Sequence, residues 1–225
     1  LEDGVLDGGI STLDGGDGDD RLFNNWIYTS SSILAIGGAG NDLFEDLSGF
    51  FPVASKELPS NDTVDMGAGN DTVWSGNGTD SIDGGAGNDL IYADSPSKLI
   101  PLIVRPLINT NDIRAGAGDD TVIGGLDWSG VGFDVMLGDD GNDSMIGGWS
   151  ADQLDGGAGN DTLYGDDEPP AIATVEYLFA DSIPGTFYPL SASDIIAGGD
   201  GDDMLFGGRR SDFVGGGDGD DTVEG

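Results

Sequence analysis

Nine large apolar residues, Leu22, Phe44, Val73, Ile91, Val122, Met145, Leu163, Leu205 and Val223, each stand two places after an aspartate that closes a run of glycine and Asn or Asp. Where the pattern is unbroken its period is nine. SGNGTDSID and GGAGNDLIY run from Ser75 to Tyr92; GDDGNDSMI, GGWSADQLD and GGAGNDTLY run from Gly138 to Tyr164; GGDGDDMLF, GGRRSDFVG and GGDGDDTVE start at Gly198. A short fixed period marks a repeat architecture, in which a small unit buries its apolar side only by stacking on copies of itself. The apolar residue at the eighth place suits the inward position of a short packed strand. Gly, Asn and Asp, which fill most of the first six places, favour turns.

These units resemble the calcium-binding nonapeptide of the RTX family, GGxGxDxUx with U a large apolar residue. The resemblance runs from about Gly15 to Glu224. It implies an all-β fold, a right-handed parallel β-roll in which six residues turn, three form a strand, and two nine-residue units, about 18 residues together, complete a circuit. It also implies calcium between stacked turns.

The residue types suit that role on their own. Glycine at the first, second and fourth places permits positive φ and close backbone approach, so that carbonyl oxygens can converge on a hard cation. Asp at the sixth place adds charge. Asn or Asp at the fifth tolerates a left-handed conformation and is assigned a mainly structural role. Met66 and Ala115 replace the first glycine and Asp139 the second, which puts the geometry of those turns in question.

The well-formed turns begin at residues 15, 37, 66, 84, 115, 138, 156, 198 and 216, and their separations are eighteen plus insertions of 4, 11, 0, 13, 5, 0, 24 and 0 residues. Each pair therefore encloses one coil with an altered turn, recognisable by strand ends such as Asp62-Thr63-Val64, Asp80-Ser81-Ile82 and Asp194-Ile195-Ile196; at Asn111 the sixth place is Asn. In a two-unit circuit the well-formed turns stack along one edge. The insertions, near residues 24–33, 46–61, 93–110, 126–130 and 166–190, all fall on the other. The chain reads as a single domain over 1–225 and as a fragment of a larger protein.

Composition sharpens the metal reading. Seven Lys and Arg against 43 Asp and Glu give a formal charge of −36, which destabilises a compact state unless cations sit among the carboxylates. Nucleic acid is excluded as a partner by the same charge. A 37% apolar content in regular positions argues for a core rather than disorder. Without cysteine or histidine there is no disulfide, no thiolate or imidazole metal site and no nucleophile–His pair within this chain. The longest apolar run, Leu99 to Val104, contains Pro101 and is too short for a transmembrane segment.

Nine stacked turns would bracket about eight calcium sites, with carboxylates from Asp20, Asp42, Asp71, Asp89, Asp120, Asp143, Asp161, Asp203 and Asp221. Glycine-rich backbone, including Gly15, Gly37, Gly84, Gly138, Gly156, Gly198 and Gly216, would complete shells of about six to eight oxygens. The opposite edge looks poor in calcium, with room for one or two ions, and GGRRSD places Arg209 and Arg210 against binding. Its long insertions are apolar. They either cover one another through Phe50, Phe51, Leu99, Ile100, Tyr177, Phe179, Phe187 and Tyr188, or present a surface for self-association or a protein partner.

The function expected is a non-catalytic, calcium-folded module, structural or adhesive, secreted or on the bacterial cell surface; type I export is what the resemblance implies. The alternatives are a glycan-binding or enzyme-accessory module, or a polysaccharide-active enzyme, using Trp26, Tyr28, Trp74, Trp128 and Trp149.

Overall fold

The computed structural model describes residues 11–24, 32–46, 60–76, 78–94, 110–125, 132–148, 150–166, 193–208 and 211–224. The inserted segments lie outside these residues, as do Trp26, Tyr28, Trp128, Trp149, Arg209, Arg210 and the loop aromatics. Among the described residues all regular structure is strand.

The strands form two parallel sheets of nine. One holds β1 (Ser11–Asp17), β3 (Ile33–Ala39), β5 (Thr63–Ala68), β7 (Ser81–Ala86), β9 (Asp112–Ala117), β11 (Val135–Asp140), β13 (Gln153–Ala158), β15 (Ile195–Asp200) and β17 (Phe213–Asp218), hydrogen-bonded in that order. The other holds β2 (Arg21–Asn24), β4 (Leu43–Asp46), β6 (Thr72–Trp74), β8 (Leu90–Tyr92), β10 (Thr121–Gly125), β12 (Ser144–Gly148), β14 (Thr162–Tyr164), β16 (Met204–Phe206) and β18 (Thr222–Glu224). Successive strands alternate between the sheets, so the chain coils as a parallel β-roll. Each odd strand leads to the next even strand through a well-formed turn, and each even strand returns through an altered or inserted one. The turns therefore separate onto two edges, as the spacing predicts.

Registry survives the insertions. Val122 pairs with Ile91 on one side and Met145 on the other, and Thr63 pairs with Leu34 although a long insertion separates the two strands in sequence. A one-residue slip would turn every inward side chain outward, so the apolar row fixes alignment. The core is correspondingly thin. One row from the second sheet (Leu22, Phe44, Val73, Ile91, Val122, Met145, Leu163, Leu205) is fully buried against a row from the first that includes Val64, Ile113, Met136 and Leu154.

The remaining eighth-place residue, Val223, departs from expectation and is 51% exposed. It lies on β18, the end strand of its sheet, with β16 as its one neighbour.

Candidate metal centres on the two edges

On the edge of well-formed turns, three hydrogen-bond ladders run along the stack. At the sixth place the backbone N–H of each Asp donates to Oδ1 of the next turn's Asp, from Asp20 to Asp42 and on to Asp203 and Asp221, at 2.7–3.1 Å. At the fifth place the direction reverses: Asn41 N–H donates to Asp19 Oδ1, and the series continues to Asp220 and Asp202, again at 2.7–3.1 Å. The fourth-place N–H donates to the third-place carbonyl of the next turn, as in Gly69 to Ala86 at 2.7 Å.

The fifth-place ladder corrects one reason given by the sequence. Asp139 is the one described non-Gly residue with positive φ, so the fifth-place Asn and Asp are not left-handed. Their role is structural because their side-chain oxygen accepts the neighbouring turn's N–H. The left-handed positions fall at the second and fourth glycines instead. At Gly69, with φ of 145°, a side chain would also run into the Gly40 carbonyl. Carbonyls of the second and fourth places are thus aimed along the stack at the next turn.

The sixth-place carboxylates have a feature that points to a ligand. Asp42, Asp71, Asp89, Asp120, Asp143, Asp161 and Asp203 are buried, and in each Oδ1 is taken by the ladder while Oδ2 is buried without a hydrogen-bond partner. An orphaned buried carboxylate oxygen is costly, and in a native site it signals an ion or water. Burial pushes the carboxyls of Asp71, Asp89 and Asp120 up to about 6 and that of Asp143 to about 7, with neighbouring carboxylates adding to the effect.

The first-place glycines meet these oxygens. A Cβ on Gly37 would lie 2.6 Å from Asp42 Oδ2 and 2.5 Å from the Met66 carbonyl; on Gly84 it would lie 2.7 Å from Asp89 Oδ2 and 2.5 Å from the Ala115 carbonyl. The same arrangement recurs at Gly138, Gly156 and Gly198, and Gly15 and Gly216 face Asp20 and Asp221. Carboxylate oxygen and backbone carbonyls from two adjacent turns therefore face one gap, an all-oxygen set that fits a hard cation such as calcium. No three acidic side chains among the described residues form a ready-made metal group, so backbone oxygens must supply much of any shell.

The irregular turns keep this geometry. Met66 and Ala115 are fully buried and join the core, and the ladder passes through Asp71 and Asp120 unbroken. Asp139 adopts φ of 72° and pairs with Arg114, the one ion pair among the described residues.

The opposite edge is richer in ordered carboxylate than the sequence suggested. Asp62, Asp80, Asn111, Asp134, Asp152, Asp194 and Asp212 form their own sixth-place ladder, from the Ile33 N–H onward, at 2.8–3.0 Å. Oδ2 of Asp80 and of Asp212 has no partner, and at Asn111 the unpartnered atom is Nδ2, a donor that opposes a cation. Burial and nearby carboxylates push Asp62 up to about 9 and Asp194 to about 7; burial also takes Asp80 to about 7. The signal was present in the recurring strand-end Asp, but insertions hid its periodicity.

Trp74 is edge-on to Tyr92, with centroids 5.5 Å apart, and Tyr164 stacks on Phe206 at 4.7 Å. These rings face one another on the second sheet. No helix of the described residues is long and apolar enough to cross a membrane.

Two adjacent parallel sheets joined by glycine-aspartate turns with orphaned carboxylates define a calcium-binding parallel β-roll. The profile of the RTX calcium-binding nonapeptide repeat (4 copies) matches residues 6–28, 59–95, 109–127, 128–167 and 190–225. The chain belongs to that family. No curated protein matches it.

Proposed function

We propose that the chain is a non-catalytic module that folds on calcium, with about eight ions in the gaps between the nine well-formed turns, bound by the sixth-place aspartates and backbone carbonyls. The row of buried Oδ2 atoms without partners carries this reading. Eight divalent ions would offset about 16 of the 36 net negative charges, and binding free energy available only to the ordered roll becomes folding free energy. Proteins with RTX repeats are typically secreted by bacteria. Calcium-poor cytosol and calcium-rich surroundings would then keep this acidic chain unfolded before export and folded after it.

Within a larger protein the module serves as a single structural or adhesive unit, its apolar insertions meeting a partner or a second copy. Of the aromatics that the glycan-binding alternative uses, Trp74 is the one described, and it lies edge-on to Tyr92. Equilibrium dialysis together with circular dichroism tests the main reading. Calcium uptake near eight ions per chain should accompany the gain of β-structure, and β-structure forming fully without uptake would overturn it.

A further inference from the structure

The outer faces of the two sheets differ in charge. From β6 to β16 the outward positions of the second sheet carry no charged residue: the ninth places hold Trp74, Tyr92, Ile123, Ile146, Tyr164 and Phe206, and the seventh places are Thr or Ser except at Leu90 and Met204. Over the corresponding strands the first sheet presents Asp65, Asp83, Asp112, Arg114 and Asp155. The ninth-place residues pair directly from strand to strand, so they form one unbroken row, about 24 Å long at about 4.8 Å per strand. Met204 beside it is 46% exposed, Ile146 is 8% exposed, and the remaining ninth-place side chains are half-buried. In a chain of formal charge −36 this is a long surface to leave without a carboxylate. Charge returns only at its ends. Arg21 on β2 lies over the Phe23 ring at 5.5 Å, Glu45 on β4 pairs with Trp74, and Glu224 on β18 pairs with Phe206.

We infer that this row is the contact surface for a second copy of the chain, with the two second sheets packed face to face about a two-fold axis along β10. Sheets stacked in this way lie about 10 Å apart and join through their outward side chains. Charge selects the occupant. Two chains this acidic repel wherever carboxylates face carboxylates, and among the described residues this row is the approach that avoids it. β10 is the fifth of nine strands, so the axis sets Ile123 over its own copy and β2 over the partner's β18. Arg21 then lies over the strand that carries Glu224, and the same opposite-charge meeting recurs at the other end. An axis along the roll would instead set β2 over β2 and β4 over β4, bringing like charges together. A contact one sheet wide is at the small end of protein interfaces, so the association is weak and concentration-dependent.

The inference rests on the calcium-folded roll but not on the number of ions or on the insertions. Sedimentation velocity of the full chain in millimolar calcium, across a wide range of protein concentration, should show a monomer–dimer equilibrium. Ile123→Lys places four-carbon cations against each other at the axis and should weaken association by about tenfold or more, with the far-UV β signal kept. The chain has no cysteine, so Ile123→Cys offers a second variant. A short bismaleimide should trap it as a covalent dimer and should not trap Ser81→Cys, which lies exposed on the first sheet. A folded chain that stays monomeric at every concentration overturns the inference, whether the row takes another partner or is covered by the chain's own insertions. So does a dimer that Ile123→Lys leaves intact or that Ser81→Cys traps equally well. An unaltered chain with no β signal in calcium overturns both this inference and the calcium reading.

Discussion

The two edges of the roll share one ladder and differ in the rest. Both pass a sixth-place N–H to a carboxamide or carboxylate oxygen of the next turn, circuit after circuit. The edge of short turns adds continuous ladders at the third and fifth places, whereas on the inserted edge the fifth-place bond survives among described residues only between Thr79 and Asn61, at 3.1 Å. The difference separates what holds the circuits in register from what closes a turn. The sixth place and the paired strands suffice for register, so the first five places of one edge are open to insertion.

If ions supply the counter-charge, removing them should affect both edges together, and this is the largest effect expected. A chelator should abolish most far-UV β signal, and calcium above its midpoint should restore it. A chain that keeps its β signal in excess chelator would show that the ladders alone suffice.

Acidity should separate metal-free from calcium-loaded protein. Burial raises the carboxyls of Asp71, Asp89, Asp120, Asp143, Asp62, Asp80 and Asp194 above 3.8, to values from about 6 to about 9. The folded, metal-free chain thus binds protons that the unfolded chain releases. That stability is present below about pH 4 and is lost as pH rises through about 6 to 9. Calcium competes with the same protons, so in its presence stability should rise over that range. The far-UV β signal followed over about pH 4 to 9 should fall with rising pH in chelator and rise in calcium; parallel trends would refute the shared-carboxylate account.

Glycine substitutions test how tightly the short-turn edge is stacked. Gly69→Ala forces a side chain to φ of 145° and into the Gly40 carbonyl, and should cost about 3 kcal/mol or more. Gly16→Ala, at φ of 93° in the first turn with nothing within 4 Å, should cost only the left-handed penalty of about 1 kcal/mol. Thermal melts in saturating calcium read the gap between them.

Most of the fold was legible because it depends on counting. The period of nine placed Val122 and its equivalents in the core, where all but Val223 lie, and the excess over eighteen assigned every insertion to one edge. What escaped was contact between circuits. Nothing in the composition of the fifth place distinguishes a left-handed residue from one whose Oδ1 accepts a neighbour's N–H. Nor does an isolated Asp62 or Asp134, far from its partners in sequence, reveal a ladder when loops of different length intervene. Met66 and Ala115 put the geometry of their turns in question because they replace a consensus glycine, whereas their side chains extend the core.

Charge at the sixth place offers a finer test of the two edges. Asp120→Asn keeps the Oδ1 acceptor of the ladder but puts an amide where the unpartnered Oδ2 stands, reproducing on the short-turn edge what Asn111 does on the other. Since Asp120 borders two gaps, calcium affinity should fall by on the order of tenfold, about 1.4 kcal/mol, with the folded β signal kept at high calcium. An unchanged calcium midpoint would mean that the ladder, not the carboxylate, is what the sixth place supplies.

The smallest effect concerns Asp139, the one non-glycine at a left-handed position among the described residues. Asp139→Gly removes a strain of about 1 kcal/mol, but it also loses the pairing with Arg114 and adds a flexible residue to the unfolded chain. These terms oppose one another and are of similar size, so the melting temperature should move by no more than a few degrees in either direction. Arg114→Ala separates them, because it deletes the pairing and keeps the strain. If Arg114→Ala lowers stability while Asp139→Gly leaves it unchanged, relief of strain has offset the lost pairing. If Asp139→Gly proves strongly destabilising, the carboxylate at this place belongs with the ion-binding groups and not with the surface.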